Sequence, residues 1–186
     1  MCHWATTQNH PVSIRYPKGP IPAEDGQHQT PLDTLESEVL FQSENSDNDK
    51  ENILLIGVGS MAWECYHAAK SLDQEKISTT ALNLRFLKPL KKDILKSHID
   101  KATHIIVVEE GAQIGGVSQY LLSEIDHQTP KHHWHSLGIA DEFVDHGKLK
   151  NLRQNYDLDR DRIVSHVRNV LNNKAATSVS QSIPHS

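Results

Sequence analysis

A short apolar run that ends in glycine constrains the fold of this chain more than any other stretch. Residues Ile53 to Val58 read Ile-Leu-Leu-Ile-Gly-Val, which is the length and composition of a buried parallel strand. Gly57 to Ser60 supply small residues for a tight turn, and Ser60 is a candidate cap for the helix that follows. That helix has one apolar face at three- and four-residue steps, formed by Met61, Cys65, Ala68, Ala69 and Leu72.

The alternation of strand and helix continues along the chain. Strands are predicted over Thr80 to Phe86, His104 to Val108 and His133 to Gly138, with an edge strand over Glu38 to Gln42. Helices are predicted over Lys91 to Ile99, Val117 to His127, Lys148 to Asn155 and Arg160 to Asn172. Because the connections are short, the elements indicate an α/β domain with three αβα layers around a mostly parallel sheet.

Composition divides the rest of the chain. The hydrophobic fraction of 37% is low for a wholly compact chain, and residues 20–52 are polar, acidic and proline-containing, as linkers are. We therefore predict a main domain over 53–173 and a disordered tail over 174–186. Residues 1–19 hold only the end of a helix and a strand over Pro11 to Tyr16, which is typical of the end of another domain.

Charge and cysteine content exclude several classes of function. The net charge of −5 gives no basic footprint for nucleic acid, and no apolar run reaches the roughly 18 residues of a membrane span. Cys2 and Cys65 make no disulfide framework, and the N-terminus has no signal-peptide pattern. These features predict a soluble, intracellular protein without nucleic-acid or membrane partners.

Two glycine-marked stretches could carry chemistry. Gly57-x-Gly59-x-x-Ala62 matches a loose dinucleotide fingerprint, but the next strand ends without a carboxylate for ribose hydroxyls, so a packing turn is favoured. Glu109 and Glu110 follow the third strand, where open α/β sheets place their sites. Adjacent residues point to opposite sides of a strand, so these carboxylates are not a general acid/base pair. A surface turn or a subunit contact is the favoured interpretation.

The 13 histidines raise the question of a metal site. His133 and His135 share a strand face while His132 points away, and no Cys-x-x-Cys or His-Glu-x-x-His motif accompanies them. We therefore expect a solvated strand edge rather than a zinc site. No Gly-x-Ser-x-Gly nucleophile motif is present, so composition and spacing predict a domain without a self-contained active site.

Five motifs, in order, resemble those of one enzyme family. They read Arg-Tyr-Pro-Lys-Gly at 15–19, Ile-Leu-Leu-Ile-Gly-Val-Gly-Ser-Met at 53–61, Leu-Arg-Phe-Leu-Lys-Pro-Leu at 84–90, Glu-Glu-Gly-Ala-Gln-Ile-Gly-Gly at 109–116 and Leu-Gly-Ile-Ala-Asp-Glu-Phe-Val-Asp-His-Gly at 137–147. Outside the linker, the chain resembles the 1-deoxy-D-xylulose-5-phosphate synthases, which are relatives of transketolase. The second and fourth motifs belong to the whole superfamily, whereas the first and last are narrower and select the synthase.

The resemblance implies a division of the chain and a chemistry. Residues 1–19 would be the end of the pyrimidine-binding domain, and 53–173 the transketolase C-terminal-like domain. The family enzyme is a dimer of the cytoplasm or plastid stroma that uses thiamine diphosphate and Mg²⁺ to condense pyruvate with glyceraldehyde 3-phosphate, for isoprenoid and thiamine synthesis. The resemblance implies no catalytic, cofactor-binding or metal-binding residue within this chain. Arg15 is the one implied substrate-binding residue, since its guanidinium would hold the aldehyde's phosphate.

The resemblance thus implies a C-terminal portion that is inactive alone and needs the remaining synthase domains or a second subunit. Exposed apolar patches are expected, because the domain packs within the family's dimer. Three alternatives stay open. The chain could be a stand-alone regulatory domain that docks on a complete synthase, or an oxidoreductase in which Arg85 meets a 2′-phosphate. It could also be the end of a 2-oxoacid dehydrogenase β subunit, since Gly111 stands where the synthase more often has Asn.

Overall fold

The apolar run at Ile53 becomes the middle strand of a five-stranded sheet. The computed structural model describes residues 1–16, 32–44, 51–125 and 132–173, and the backbone of 174–180. The strands are β1 (Glu38–Gln42), β2 (Asn52–Gly57), β3 (Ser78–Asn83), β4 (His104–Ala112) and β5 (His133–Ile139). They lie in the order β1-β3-β2-β4-β5, with β1 antiparallel to β3 and all other neighbours parallel. The predicted α/β class, the mostly parallel sheet and the edge strand β1 are confirmed.

Helices cover both faces of this sheet. They are α1 (Cys2–Thr6), α2 (Met61–Gln74), α3 (Lys92–Ile99), α4 (Val117–Ile125), α5 (Leu149–Asn155) and α6 (Arg160–Ser180). One apolar layer joins the sheet to α2 and α6, where Leu55, Ile106 and Val167 are buried. The opposite layer joins it to α3 and α4, where Leu54, Leu95 and Leu121 are buried. Both faces of β2 and β4 are therefore covered, which explains their unbroken apolar sequences.

Helix α2 buries the face that its spacing predicts. Met61, Cys65, Ala68, Ala69 and Leu72 all have side chains with no exposed surface. The predicted cap is wrong, however, because the Ser60 hydroxyl makes no hydrogen bond to the first turn of α2. That hydroxyl is instead bonded to a carboxylate at the end of β4.

Two predicted boundaries are also wrong. Pro11 to Tyr16 forms no strand, because an extended segment needs a pairing partner and the described part of the chain offers it none. Helix α6 continues to Ser180, so its predicted end at Asn172 is wrong, while the disordered tail stays a prediction. Residues 174–180 contain no glycine or proline that would stop a helix. Residues 181–186 lie outside the described residues, as do residues 17–19 and most of the predicted linker (20–31 and 45–50).

The short helix α1 is not isolated from the sheet. The Trp4 ring meets the Phe86 ring edge to face, with centroids 5.4 Å apart, shortly after β3 ends. This contact shows where α1 lies, while the assignment of residues 1–19 to another domain stays a prediction. Within the described residues, no helix has the length and apolar character needed to cross a bilayer.

Candidate functional site

The carboxyl ends of β2 and β4 bring the glycine turn and the two glutamates together. At Gly57, a Cβ atom would lie 2.3 Å from the Ala62 Cα and 2.5 Å from the Ala62 nitrogen. Only glycine therefore lets the first turn of α2 pack against the end of β2. Gly59 lies two residues later with a φ of +61°, in the left-handed region. These constraints confirm the turn as a packing device.

The start of α2 is occupied by a hydrogen-bonded network that we call the Arg153 network. It comprises the side chains of Ser60, Glu64, Glu110 and Arg153. The Ser60 Oγ donates to Glu110 Oε2 at 2.9 Å. Arg153 places Nε and Nη2 2.8 Å from Glu110 Oε1, and it donates through Nη1 to Glu64 Oε1 at 3.0 Å. One guanidinium therefore bridges two carboxylates from α2 and β4.

The Arg153 network also fixes the start of the last helix. Glu64 Oε2 accepts the backbone N–H of Arg160 at 3.0 Å. The side chain of Arg153 is only 17% exposed, so these charges are partly shielded from water and hold one another more strongly than a surface pair would. The network joins β4, α2, α5 and α6 at one end of the sheet.

This arrangement argues against a nucleotide site. A phosphate at the N-terminus of α2 would meet the carboxylates of Glu64 and Glu110, where a dinucleotide site has open backbone N–H groups. Arg85, the candidate for a 2′-phosphate, lies buried 3.9 Å from Glu38, with the two side chains 6% and 8% exposed. The dinucleotide fingerprint is thus explained by packing.

Glu109 points to the other side of β4, as its alternation with Glu110 predicts. Its carboxylate is buried and accepts the Ser118 backbone N–H at 3.2 Å, in the first turn of α4. Three glycines enclose it: a Cβ at Gly111 or Gly116 would come within 2.8 or 2.5 Å of its oxygens, and one at Gly138 within 3.4 Å of its Cγ. Glu109 therefore anchors a helix N-terminus, which its negative charge suits. The interpretation of this stretch as a surface turn is wrong for Glu109.

The histidines are less solvated than the sequence indicates. His133 and His135 do share a face, and both rings contact His104, which is buried at the start of β4. The His166 ring of α6 lies 5.3 Å from that of His135, so α6 covers part of the predicted strand edge, while His133 stays exposed. His132 points elsewhere and its Nδ1 lies 2.8 Å from the Ala102 carbonyl oxygen.

Neither these histidines nor the glutamates form a metal or cofactor site. The His104 and His133 rings are stacked with a 24° angle between their planes, so their in-plane nitrogen lone pairs do not converge on one point. Among the described residues, no three His, Cys, Asp or Glu side chains are placed to hold a metal ion. Mg²⁺ requires oxygen ligands, yet Glu64, Glu109 and Glu110 are already bonded to nitrogen donors. The residues present do not fit a magnesium–diphosphate group.

The buried cysteine of α2 does not supply a nucleophile either. Burial raises the pKa of the Cys65 thiol, so this side chain is a packing residue without thiolate character. Arg15, the one predicted site residue, lies exposed in the irregular segment after α1 and outside the Arg153 network. Its substrate-binding role stays a prediction.

The family model of the transketolase C-terminal domain matches residues 43–163. The chain belongs to this family. The matched residues contain β2 to β5, α2 to α5 and the whole Arg153 network. Arg15 and His166 lie outside them.

Curated relatives show which members of the family the chain is similar to. The chain is 35% identical over 171 residues to the 1-deoxy-D-xylulose-5-phosphate synthase of Clostridium kluyveri, covering 92% of this chain and 26% of the relative. It is 31% identical over 170 residues to the Clostridium tetani synthase, covering 90% and 26%. The chain therefore spans about a quarter of the length of the curated relatives that it matches.

Solved structures support the fold. One solved structure is described as "Split gene transketolase, inactive beta4 tetramer", where beta4 refers to the tetramer and not to a strand. The match covers 74% of this chain and 43% of that chain, with a TM-score of 0.62 and 21% identity. The transketolase of Campylobacter jejuni covers 72% of this chain and 18% of its own, with a TM-score of 0.52 and 18% identity. At these identities the likeness concerns the transketolase C-terminal domain fold alone.

Proposed function

We propose that this chain is the C-terminal portion of a 1-deoxy-D-xylulose-5-phosphate synthase. The observation that carries the proposal is the extent of the similarity, which covers 92% of this chain and a quarter of the relative's length. The reaction would be the transfer in which pyruvate condenses with glyceraldehyde 3-phosphate, using thiamine diphosphate and Mg²⁺. Glu64, Glu109 and Glu110 are engaged in structural bonds, so the cofactors and the chemistry would belong to the remaining synthase domains. The cytoplasm is the proposed compartment.

The contribution of this domain would be to complete the enzyme's packing. Exposed apolar side chains lie in the loops after β4 and β5 and at the start of α5, at the same end of the sheet; they are Ile114, Phe143, Val144 and Leu149. Phe143 is fully exposed, which is unusual for a large aromatic side chain with no binding role. We assign this edge to contact with the remaining synthase domains or with a second subunit. The boundaries at 19, 52 and 173 are part of this proposal.

A complementation assay tests the proposed function. The Clostridium kluyveri synthase, truncated before its C-terminal quarter, is assayed for synthase activity alone, mixed with this chain, and fused to it as a chimaera. We expect no activity from either piece alone and recovered activity in the chimaera. Phe143→Ser should weaken recovery in the chimaera, whereas Val39→Ser, at an exposed position of the edge strand β1, should not. An inactive chimaera in which this chain is folded would contradict the proposal. Binding to a complete synthase without recovered activity would then favour the regulatory alternative.

We predict that Arg15 contributes to aldehyde binding in the active chimaera. Arg15→Gln should raise the KM for glyceraldehyde 3-phosphate by about 10- to 100-fold, because a charge-assisted bond to phosphate is worth about 1.5–3 kcal/mol. The KM for pyruvate should stay unchanged. Arg15→Lys should recover part of the affinity as a point charge without the guanidinium fork. Arg162→Gln, at an exposed arginine of α6, is the matched control. Equal effects on both substrates would contradict the assignment.

A further inference from the structure

Four imidazole rings form a continuous group between the sheet and α6. The His104 ring lies 5.0 Å from that of His133 and 5.6 Å from that of His135, while the His135 and His166 rings are 5.3 Å apart. His104 is opposite His133 in the register of β4 and β5. The group, which we call the histidine cluster, therefore joins β4, the edge strand β5 and the last helix. It lies at the end of the sheet away from the Arg153 network.

We propose that the histidine cluster is an acid-sensitive latch, which holds β5 and α6 on the sheet when its imidazoles are neutral and releases them in mild acid. The proposal concerns regulation of the domain's structure and does not depend on the proposed synthase activity. It rests on the contacts between the rings and on the position of β5, which pairs with β4 at one edge of the sheet.

Hydrogen bonding inside the cluster requires a neutral ring. The His104 Nδ1 and the His135 Nε2 are 3.3 Å apart, and one of them must accept while the other donates. A first proton can be accommodated, because the other ring remains an acceptor. When both rings are protonated, all their nitrogens are donors and the contact becomes repulsive. The pair therefore separates when the second proton binds.

The carboxylates near the histidine cluster act on His104 and His166 and do not offset a positive charge on His135. Glu51 places Oε2 3.3 Å from the His104 Nε2, and the Asp157 carboxylate acts on His166 in the direction that favours its charged form. His135 instead faces three imidazoles, from β4, β5 and α6. Burial, followed by the charges of His166, His104 and His133, lowers the pKa of His135 to about 4. Burial also lowers the pKa of His166.

The sign of the effect follows from these directions. A histidine in the unfolded or released state titrates near its ordinary value of 6.5, so the released state binds more protons than the latched state. The latch is complete above about pH 6.5 and is lost as the pH falls towards 4. At pH 5.5, a shift of this size for His135 alone changes the opening equilibrium by about tenfold.

Hydrogen exchange of the 186-residue chain tests the latch. Exchange of peptides from β5, α6, β2 and β3 is followed by mass spectrometry at pH 7.5 and 5.5, with correction for the intrinsic pH dependence of exchange. We expect protection of β5 and α6 to fall by about tenfold or more at pH 5.5, while β2 and β3 keep their protection. Unchanged protection in β5 and α6, or an equal loss in all four elements, overturns the proposal.

Variants separate the cluster from other histidines. His135→Phe should keep the protection of β5 at pH 5.5 within about twofold of its value at pH 7.5, because the contact between His104 and His135 is gone. His166→Leu should reduce the acid loss without abolishing it, because it removes only one of the charges that act on His135. His98→Gln is the matched control, since the pKa of His98 is also lowered by burial but it lies on α3, across the sheet. A loss of β5 protection at pH 5.5 that persists undiminished in both cluster variants overturns the latch. Ring titrations of the unsubstituted chain give a second measurement, in which a His135 midpoint at or above 6.5 overturns it as well.

Discussion

Replacing Gly57 with alanine is expected to prevent this domain from folding stably. The added Cβ would lie 2.3 Å from the Ala62 Cα, 2.5 Å from the Ala62 nitrogen and 2.7 Å from the Met61 carbonyl carbon. All three atoms are backbone, so no side-chain rotation relieves the contact, and the middle strand β2 or the whole of α2 must move. We expect a loss of about 3 kcal/mol or more, at the upper end of overpacking effects. Urea unfolding of the purified variant measures it.

Gly59→Ala is the matched control. Gly59 has a φ of +61°, yet nothing lies within 4 Å of its Cβ position, so alanine should cost only the conformational strain of about 1–2 kcal/mol. A Gly57→Ala variant that is no less stable than Gly59→Ala would contradict the packing account. The comparison also bears on the dinucleotide fingerprint, since in a dinucleotide site the second glycine would serve the approach of the pyrophosphate.

The architecture could be predicted because its determinants are local. β2 and β4 are covered on both faces, so their apolar runs are unbroken, and α2 repeats small and apolar residues with helical spacing. Even the edge strand β1 was recognisable, because Val39, Leu40 and Phe41 interrupt a polar stretch. The predicted strand over Pro11 to Tyr16 is wrong for the complementary reason. Its alternation is that of a strand, but strand formation depends on a partner that local sequence does not specify.

The candidate site could be predicted only in part, because its contacts are long-range. The opposite orientations of Glu109 and Glu110 follow from the two-residue period of a strand. Arg153 and Glu64, however, are 89 residues apart, and no spacing rule joins them. The one available signal was the charge of Arg153 within a helix of little apolar character. The partial burial of His135 could not be predicted for the same reason, since its ring contacts His166 of α6.

Replacing Arg153 with methionine is expected to destabilise the domain at the carboxyl ends of β2 and β4. Helix α5 has no buried residue among its seven, so its attachment depends strongly on the bonds from Arg153 to Glu110 and Glu64. Methionine keeps much of the side-chain volume but leaves two partly buried carboxylates close together and without their cation. We expect a loss of about 2–4 kcal/mol in the free energy of unfolding, below the cost of a fully buried pair because the network is partly exposed.

A triple variant should separate the charge contribution of Arg153 to stability from its packing contribution. Adding Glu64→Gln and Glu110→Gln to Arg153→Met removes the two uncompensated charges, so the triple variant should recover at least half of the lost stability. Arg168→Met is the matched control, because Arg168 pairs with Glu75 on the exposed side of α6, and the loss of such a surface pair should change the stability little. Equal costs at Arg153 and Arg168 would show that the network contributes no more than a surface pair. A large cost at Arg153 that the triple variant relieves would instead show that the loss comes from the uncompensated charges of Glu64 and Glu110, which Arg153 neutralises.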